Sequence, residues 1–596
     1  MPASVRRARW QAAPAAPAAA AGLQAELGLS PLLALLLSQR GLTDPGQARL
    51  YLQGTAQDLP DPFAMLGMEE AVALLESALA AGEHIRVWGD YDVDGVAGTA
   101  LLLRALGALG GHVSHYLPHR VQEGYGLNQA AIRRSAQEGV KLLVTVDCGI
   151  GAPAEVALAR RLGMRVIVTD HHLPPPELPP ADALLNPLRP GCSYPYPQLC
   201  GTGVAYKLLE ALCRRRGLAP SAPWHFLDLV ALATVSDVVP LLGENRLLVQ
   251  AGLAAIARTR KEGLKALLAE AQLDPTQVGV YHLGFVLGPR LNAAGRLQHA
   301  EQALELLVTQ DPAHAQELAR SLSACNRQRQ DEERRTLEQA VALVEEQCDL
   351  EQEWAIVLGR AQWHPGVIGI VASRLAERYC RPAVLVALKG ERGRGSGRSI
   401  PGFHLYQALC ECGDLLEHFG GHAAAAGLEV TAAHLPALRE RLCTLAARDL
   451  TPEQLTPLVT VDAWVKPDQL TVDLGRELAR MAPFGTGNPA PVLGLRQVTL
   501  LEARPVGDGS HLRLRLQGSP GDRQAIWFRY GYLAAHLQPP EPVDLLFQPS
   551  LGTWNGAQRL DLQVVDLAAP RDLPPLPPPP SPSPGSPSPR NGERAG

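Results

Sequence analysis

The residues best suited to chemistry are three aspartates at alternate positions, Asp90, Asp92 and Asp94, in the segment GDYDVDG (89–95). Carboxylates that alternate at the end of a strand can converge, and carboxylate oxygens are the ligands that hard divalent cations prefer. A calcium-binding EF-hand loop also begins DxDxDG, but its twelfth position requires glutamate and here holds Leu101. The segment therefore predicts part of a metal site, with a solvated acidic turn as the alternative.

Three further segments add acidic and imidazole groups. They contain Asp147, the run Asp170-His171-His172, and Asp237. Each residue taken singly could be structural, but together they form a carboxylate-rich cluster with one or two imidazoles. Such a cluster suits two divalent ions about 3.5–4 Å apart, the arrangement used for phosphoester cleavage. Imidazole among carboxylates favours Mn²⁺, with Mg²⁺ as the alternative.

Short apolar stretches precede three of these acidic positions. The stretches lie at 84–89, 142–146 and 166–169, and helical patterns at 98–109 and 154–162 separate them. Their length and β-branched content are typical of buried parallel strands. Asp90, Asp147 and Asp170 directly follow the stretches, and ligands bind at the carboxyl ends of strands in open parallel sheets. We therefore expect the carboxylates at one sheet edge.

The predicted fold class is α/β with an additional all-β domain. A helix opened by Asp311-Pro312 is predicted to run to about Gln347, and its middle (326–336) is polar on every face, as in helices that bridge domains through solvent. Its ~36 residues correspond to a rod of roughly 54 Å, which could hold two domains apart with a groove between them. Strand patterns near 355–358 and 383–388 predict a second α/β domain.

Farther along the chain the pattern changes to period two. Residues 511–516 alternate between apolar and polar, as in a half-buried strand. Several such strands in roughly 115 residues predict a small β-barrel of the OB-fold type. The aromatic residues Trp527, Phe528 and Trp554 could stack on bases or fill the barrel core, and the sequence favours the core.

Composition marks the remaining boundaries. The Ala/Pro-rich start and the Pro/Ser-rich end lack core-forming residues and are predicted to be disordered. We predict a disordered N-terminal segment (1–22), an N-terminal helical region (23–64), a metal-binding α/β domain (65–250), a connecting region with the long helix (251–349), a second α/β domain (350–450), an OB-fold-like β domain (451–569) and a disordered tail (570–596).

Composition and charge exclude some classes of protein. Hydrophobic residues make up 46% of the 596 residues, but no apolar run approaches the ~18–20 residues of a membrane span. The N-terminal arginines are followed by Ala and Pro rather than by the apolar segment of an export signal. The ten cysteines form no CxxC pair, which favours reduced thiols. The net charge of −5 leaves nucleic-acid binding open, because local Lys/Arg clusters carry that affinity. We expect a cytoplasmic, nucleoid-associated protein.

The acidic segments also resemble a known family. GDYDVDG, VDCG, TDHH and ATVSDVVPL are similar, in order and spacing, to the four motifs of the DHH phosphoesterase superfamily. Further segments resemble the bacterial RecJ family: PHRVQEGYGLN, GPRLNAAGRL, WHPGVIGIVASRL, GSGRSI, FGGHAAAAGL, PFGTGNP and WNG. The resemblance spans about residues 30–568, and Ser236 stands where the family more often has alanine. It implies a DHH domain, a DHH-associated domain and an OB fold.

The resemblance also implies an activity. It predicts a metal-dependent, single-stranded-DNA-specific 5′→3′ exonuclease that releases 5′-mononucleotides during DNA repair and recombination. Two alternatives are a small-substrate phosphoesterase that hydrolyses oligonucleotides or polyphosphate, and a catalytically silent DNA-binding scaffold. The implied partners are single-stranded DNA, a single-stranded-DNA-binding protein and a RecQ-type helicase, with no membrane, and we expect a monomer.

Carried over by position, the resemblance implies roles in the metal site. The implied metal ligands are Asp92, Asp94, Asp147, His171 and Asp237. Asp147 is implied to bridge the two ions. Asp90 and Asp170 are implied to orient ligands, with Asp170 fixing His171, because ligating histidines usually need such a partner. His172 is implied to lie beside the scissile phosphate and to stabilise charge there.

Arginines are the first candidates for phosphate binding. A planar guanidinium matches phosphate oxygens in a bidentate geometry, which points to Arg120, Arg290 and Arg296. Arg290 could instead pair with an acidic surface residue. Asn292 on the same segment is a further DNA-binding candidate. Tyr125 could stack on a base or pack under its own loop.

The second α/β region contains two glycine-containing candidates. The segment 393–399 is glycine-rich, which lets backbone N–H groups approach an anion. It could be a flexible hairpin, but its resemblance to the family's 5′-end pocket implies phosphate binding by Ser396 and Arg398. Gly421 and His422 are similar to the superfamily's substrate-binding GGH element, with a tight turn bearing a surface histidine as the alternative.

Overall fold

The computed structural model describes residues 8–14, 16–120, 122–297, 299–518, 521–554 and 557–569. The Pro/Ser-rich tail, predicted to be disordered, lies outside the described residues. The chain divides into two units: the first unit comprises residues 49–328 and 483–489, and the second unit comprises 1–48, 329–482 and 490–596. Among the described helices, none combines the length and apolar character that a membrane span requires.

The secondary structure alternates between helices and strands until about residue 450 and is mainly β beyond it. The helices are α1 (Pro17–Leu27), α2 (Pro31–Gln39), α3 (Pro45–Gln53), α4 (Met68–Ala80), α5 (Val93–Ala108), α6 (Gln129–Gln137), α7 (Pro153–Arg161), α8 (Gly201–Arg215), α9 (Leu227–Ser236), α10 (Gly243–Ile256), α11 (Glu262–Glu270), α12 (Val280–His282), α13 (Gly288–Leu297), α14 (Glu301–Val308), α15 (Pro312–Gln347), α16 (Ile368–Tyr379), α17 (Leu405–Cys410), α18 (Leu435–Asp449) and α19 (Val472–Ala479). The strands are β1 (Arg9–Ala12), β2 (His84–Trp88), β3 (His112–Tyr116), β4 (Leu142–Thr145), β5 (Arg165–Thr169), β6 (Ala183–Leu185), β7 (Ile356–Arg360), β8 (Ala383–Lys389), β9 (Arg392–Arg398), β10 (Leu416–Gly421), β11 (Ala425–Thr431), β12 (Leu458–Val461), β13 (Ala463–Trp464), β14 (Leu493–Val506), β15 (His511–Leu516), β16 (Arg523–Trp527), β17 (Glu541–Trp554) and β18 (Ala557–Ala568).

The first unit is built on a five-stranded parallel sheet in the order β3-β2-β4-β5-β6. Both faces are covered, which explains why strands β2, β4 and β5 are buried along nearly their whole length. Val87 and Val144 pack into one hydrophobic core together with helices α5 and α8, whereas Leu143 and Val166 belong to the core on the other side. The predicted parallel strands are thereby confirmed.

The second unit contains an α/β sheet in the order β10-β11-β9-β8-β7. The glycine-rich segment that could have been a flexible hairpin is its central strand, β9. A Cβ at Gly395 would lie 2.7 Å from Leu428, and one at Gly397 would lie 2.8 Å from Leu405. Glycine therefore lets the hydrophobic core pack directly on the backbone, and alternation places Ser396 and Arg398 on the opposite face.

The same unit also contains the predicted β-barrel. Strand β14 pairs with both β15 and β17, and the order β14-β15-β16-β18-β17 closes a ring, as an OB-type domain requires. The Trp527 side chain is buried, which confirms the core alternative for this residue. Phe528 is half-buried and its ring lies edge-on to His511. The side chain of Trp554 lies outside the described part of the chain.

Two predictions about order and exposure were wrong. Residues 9–12 form strand β1, which pairs with β12, and residues 17–27 form a helix, so the segment 1–22 contains regular structure where we predicted disorder. The reason is a long-range partner: Trp10 donates a hydrogen bond to Asp566 across 2.8 Å. The predicted bounds of the long helix are confirmed, but its middle is not exposed all round. Arg329 and Glu333 form a buried ion pair on one face.

Candidate metal centre and phosphate-binding surface

The carboxyl ends of β2, β4 and β5 lie side by side in the first unit, and the predicted ligands converge there. Asp237 reaches the same place from the end of helix α9. His171 Nε2 lies 3.0 Å from Asp147 Oδ1, 3.7 Å from Asp237 Oδ2 and 3.9 Å from Asp94 Oδ2. Side chains from four segments, separated by up to about 150 residues in sequence, therefore meet at one sheet edge.

The ligand atoms fall into overlapping groups. In each of three groups, all candidate ligand atoms lie within 4.8 Å of one another: Asp94, His171 and Asp237; Asp90, Asp92 and Asp147; Asp147, His171 and His172. Asp147 and His171 each belong to two of the groups, and of these two only the carboxylate has the two oxygens expected of a bridging ligand. Asp90 shares a group with Asp92 and Asp147, so it lies as close to the cluster as the predicted ligands.

Backbone N–H groups fix two of these carboxylates. Asp94 accepts hydrogen bonds from Gly201 (2.6 Å) and Thr202 (2.8 Å) in the first turn of α8, where the helix dipole also favours a negative charge. A Cβ at Gly201 would lie 2.5 Å from Cβ of Asp147, so only glycine allows this approach. Asp92 caps helix α5 by accepting a hydrogen bond from the Asp94 N–H. Sequence analysis missed Gly201 and Thr202; the run Cys200–Gly203 (CGTG) at the start of a helix was the available signal.

Two ligand segments contain strained backbone. Asp147 has φ of +61°, a left-handed conformation that aspartate tolerates better than most residues. Val238, which follows Asp237, has φ of +62°, which is a true outlier for a β-branched side chain. Such strain persists only where the surroundings impose it, and it concentrates at functional sites. The left-handed backbone at Asp147 and Val238 directs the Asp147 and Asp237 side chains towards the same point.

Unpartnered polar atoms test whether the cluster fits a metal. Four buried atoms make no hydrogen bond of acceptable geometry within the described residues, although His171 Nε2 and Asp147 Oδ1 lie 3.0 Å apart: Asp90 Oδ1, Asp147 Oδ1, His171 Nε2 and Asp237 Oδ2. Each such orphan ordinarily costs about 1–3 kcal/mol, and buried polar atoms are normally paired. Orphaned oxygens and one imidazole nitrogen directed at a common point fit divalent cations such as Mn²⁺ or Mg²⁺.

The titration behaviour of the cluster supports this fit. Burial first, and then the neighbouring carboxylates, raise the pKa values of Asp90, Asp92, Asp147 and Asp237. Burial lowers the pKa of His171, which favours the neutral imidazole that can ligate a metal. A bound cation would remove the repulsion and restore the ionised carboxylates.

Asp170 holds His172, which corrects the predicted pairing with the His171 ring. Asp170 Oδ1 accepts a hydrogen bond from His172 Nδ1 (2.8 Å), and to His171 it binds only the backbone N–H (2.8 Å). Asn186, after β6, donates to the His172 carbonyl and was missed by sequence analysis. Burial lowers the pKa of His172, but the hydrogen bond and charge of Asp170 outweigh it and the net pKa is raised.

Tyr125 joins this network through its hydroxyl. The hydroxyl donates to the Asp147 carbonyl oxygen (2.8 Å) and lies 3.1 Å from His172 Nδ1. Burial and the charges of Asp170 and Asp147 raise the pKa of Tyr125, so it stays protonated. About half of the residue remains exposed. The hydroxyl therefore fixes the backbone of Asp147, whereas base stacking by the ring stays a prediction.

We expect Tyr125→Phe to lower kcat about tenfold with KM within about twofold, because one hydrogen bond that positions Asp147 and His172 is lost. Steady-state kinetics on single-stranded DNA would measure both constants. Tyr206→Phe is the matched control, because its buried hydroxyl has no hydrogen-bond partner among the described residues. A raised KM with unchanged kcat would instead assign Tyr125 to substrate contact alone.

Helix α13 packs against the loop that carries Asp90 and Asp92, so part of its surface is not available to a substrate. Asn292 Oδ1 accepts the Val93 N–H (3.0 Å), and Gly295 packs against the Tyr91 carbonyl. The Arg290 guanidinium donates to the Val286 carbonyl (2.6 Å) and to Ser323. Asn292 and Arg290 are thus engaged within the protein, and their DNA contacts stay predictions.

The other two arginines, Arg120 and Arg296, are half-buried, as Arg290 is. The Arg120 guanidinium lies 4.6 Å from the centre of the Tyr91 ring, and its charge lowers the pKa of Asp90 and Asp92 against the larger effect of burial. Arg120 is therefore placed beside the metal cluster. Arg296 is half-buried on α13, and its phosphate contact stays a prediction.

The second unit presents a separate polar surface on β9. Arg398 donates to Ser396 Oγ (3.2 Å), and a Cβ at Gly369, in the first turn of α16, would lie 2.8 Å from Ser396 Oγ. In the sheet register Gly427 lies beside Ser396, and Gly420 lies beside Gly427. The Ser396 hydroxyl, the Arg398 guanidinium and the N-terminus of α16 thus surround a stretch of sheet in which the neighbouring residues are glycines. This arrangement suits an anion.

The GGH element lies at the edge of the same sheet. Gly421 has φ of +144°, and the His422 N–H donates to the Ala425 carbonyl (2.8 Å) in the turn between β10 and β11. His422 is exposed. This geometry matches the tight-turn alternative, and phosphate contact by Gly421 and His422 stays a prediction.

Comparison with known families places the chain in a class. Residues 84–234 match the DHH family, N-terminal domain, residues 352–448 match the DHHA1 domain, and residues 461–566 match the RecJ OB domain. Together with the parallel sheet and its strand-end aspartates, these matches define a DHH-family protein that carries an associated DHHA1 domain. The domain order is the one predicted.

Individual relatives give the particular family. The chain is 39% identical to the single-stranded-DNA-specific exonuclease RecJ of Bacillus subtilis over 92% of this chain and 69% of that protein. It is 42% identical to the protein of the same name from Thermus thermophilus over 87% of this chain and 74% of the relative. The chain belongs to the RecJ family.

Solved structures agree with this assignment. The structure of RecJ in complex with Mn²⁺ from Thermus thermophilus superposes with a TM-score of 0.81 at 37% identity, covering 95% of this chain and 80% of that one. The corresponding complex with Mg²⁺ gives a TM-score of 0.75 at 35% identity, covering 95% and 79%. The fold predicted from sequence is therefore confirmed.

Proposed function

We propose that this protein is a metal-dependent exonuclease specific for single-stranded DNA, which hydrolyses phosphodiesters from the 5′ end and releases 5′-mononucleotides. The observation that carries the proposal is the set of four buried, unpartnered ligand atoms at the carboxyl edge of the parallel sheet. The curated relatives are named single-stranded-DNA-specific exonucleases, which gives the substrate class. The role in DNA repair and recombination follows from the family.

We assign Asp92, Asp94, Asp147, His171 and Asp237 as ligands of two divalent cations, with Mn²⁺ preferred and Asp147 shared. Asp90 joins this set because its ligand oxygen lies in the same group as those of Asp92 and Asp147. When bound, a pair of cations lowers the pKa of water and neutralises charge on both oxygens of the displacement.

His172 has a different task. Its Nδ1 is held by Asp170, which leaves Nε2 for the substrate. Because its net pKa is raised, His172 holds a proton at Nε2 to a higher pH than an ordinary histidine and can donate it to a phosphate oxygen. Arg120, beside the cluster, adds positive charge for the neighbouring phosphate.

The β9 surface of the second unit supports a terminal-phosphate site. Ser396 and Arg398, with the first turn of α16, offer donors suited to a phosphate with two charges. Capture of a 5′-terminal phosphate by these groups would set the direction of digestion. A single-stranded-DNA-binding protein and a RecQ-type helicase are proposed partners, and the protein is proposed to act as a monomer.

The test is digestion of a 5′-phosphorylated single strand labelled at either end, with Mn²⁺ or EDTA and with a duplex for comparison. We expect the 5′ label to appear first as a mononucleotide, no digestion in EDTA, and slow attack on the duplex.

Arg398→Ala should raise KM by about 10- to 100-fold, since a charged hydrogen bond to phosphate is lost. Arg392→Ala, at the other end of β9 with a largely exposed side chain, is the control.

Other outcomes would favour other functions. Release of the 3′ label first would overturn the proposed polarity. Rates that fall as the substrate is lengthened beyond a dinucleotide would support the small-substrate phosphoesterase. DNA binding without hydrolysis under any divalent cation would support the silent scaffold.

A further inference from the structure

Strongly exposed hydrophobic side chains occur on the metal-site segments of the first unit and on a segment packed against one of them. Within the described residues, the most exposed large hydrophobic residues are Phe285 (71%), Leu173 (68%) and Val238 (63%). Leu173 follows His172, and Val238 follows Asp237. A single exposed apolar residue needs no explanation, but exposed apolar residues next to the charged residues of one site indicate an interaction surface.

Phe285 lies on a segment that packs against helix α9, the helix that ends just before Asp237. Its neighbour Gly284 packs on helix α9, where a Cβ at Gly284 would lie 3.3 Å from Val235, two residues before Asp237. The Phe285 ring is stacked on that of Tyr281, with centroids 5.3 Å apart and planes inclined by 25°. Tyr281 is half exposed, so this stacked pair faces solvent next to the Asp237 segment.

The backbone beneath the pair is irregular. Leu283–Leu287 form a π-helical turn between α12 and α13. Such turns are rare in proteins, and those that do occur are often found at functional sites. An exposed aromatic pair four residues apart adds only slightly to the stability of a helix. Helix stability alone therefore does not account for two exposed aromatic rings, one in α12 and one on the π-helical turn that packs against helix α9.

We propose that Tyr281 and Phe285 form a stacking platform for the unpaired bases of the DNA strand whose phosphodiester lies at the metal centre. The inference rests on the proposed function and adds a base-binding site to it. A nucleotide combines a charged phosphate with a flat apolar base, and here an exposed aromatic pair lies on the segment that packs against helix α9, at the end of which Asp237 contributes to the cation site. Stacking accepts any base, so the platform requires no sequence. In a duplex both faces of each base are already stacked, so the platform selects single strands.

The experiment pairs Phe285→Ala and Tyr281→Ala with single-stranded substrates that carry one abasic position, moved stepwise from the 5′ end. We expect each substitution to raise KM on intact DNA by about 5- to 100-fold, the range for one stacked base, with kcat within about threefold. At one or two positions the abasic substrate should weaken wild-type binding by a similar factor and weaken the alanine variants no further. That non-additivity identifies the base that stacks.

Controls separate this inference from the proposed function. Phe285→Trp should retain wild-type KM, and Leu218→Ala, which truncates another exposed hydrophobic residue of the first unit, should change nothing. If wild type digests single strands but additive losses are found at every abasic position, the platform is wrong and the exonuclease stands. If wild type does not digest DNA, the proposed function fails. Altered sedimentation of Phe285→Ala with unchanged KM would assign the pair to a protein contact and overturn the platform.

Discussion

Asp147→Asn is expected to lower kcat/KM on single-stranded DNA by about 10³-fold or more, while the protein remains folded. Asparagine keeps the shape and the left-handed backbone at this position but removes the charge shared by two ligand groups. Electrostatic stabilisation by a metal pair is worth several kcal/mol, and each 1.36 kcal/mol is a tenfold change in rate. Initial rates at saturating and limiting Mn²⁺ would measure the loss.

Asp182→Asn is the matched control for this prediction. Asp182 belongs to the same unit, pairs with Arg160 and caps the start of β5 through the Val166 N–H, away from the ligand groups. It should retain wild-type activity. More than a tenth of wild-type activity in Asp147→Asn would mean that Asp147 is not the shared ligand, and recovery of activity at high Mn²⁺ would limit its role to affinity.

Without metal, the same substitution is expected to stabilise the protein. The closely spaced aspartates of the cluster repel one another and disfavour the folded state, because a buried charge without a partner of opposite charge is costly. Metal-free Asp147→Asn should therefore unfold a few degrees above metal-free wild type near neutral pH. Mn²⁺ should reverse the order, because a ligand that binds only the folded state stabilises it. Thermal unfolding after EDTA treatment and dialysis would test both statements.

The pH dependence of stability shows in which direction Asp147→Asn should act on the metal-free protein. The folded-state pKa values of Asp90, Asp147 and Asp237 are raised above the ordinary 3.8, so the folded protein binds these protons more tightly than the unfolded chain. Stability from these groups is complete below pH 3.8 and is lost as pH rises through the raised values. The advantage of Asp147→Asn should thus be small near pH 4 and grow towards pH 8. A constant difference in melting temperature across this range would contradict the assumed repulsion.

The sequence by itself determined the chemistry and its approximate location. Asp90, Asp147 and Asp170 each lie within two residues of the end of a strand, and each strand is only four or five residues long and rich in apolar residues. Because parallel strands end at one edge, local patterns sufficed to predict that these side chains meet. The bounds of α15 and β15 were predictable for the same reason: periodicity within one element needs no distant partner.

Only the tertiary structure decided which partners each group has. Asp94 accepts a hydrogen bond from the N–H of Gly201, 107 residues away. Asp170 accepts a hydrogen bond from the His172 ring and not from the His171 ring. The glycine-rich segment became a central strand because Leu405 and Leu428 pack on its backbone. Residues 9–12 gained order from a strand about 450 residues distant. In each case a contact far along the chain outweighs a local propensity worth less than about 1 kcal/mol per residue.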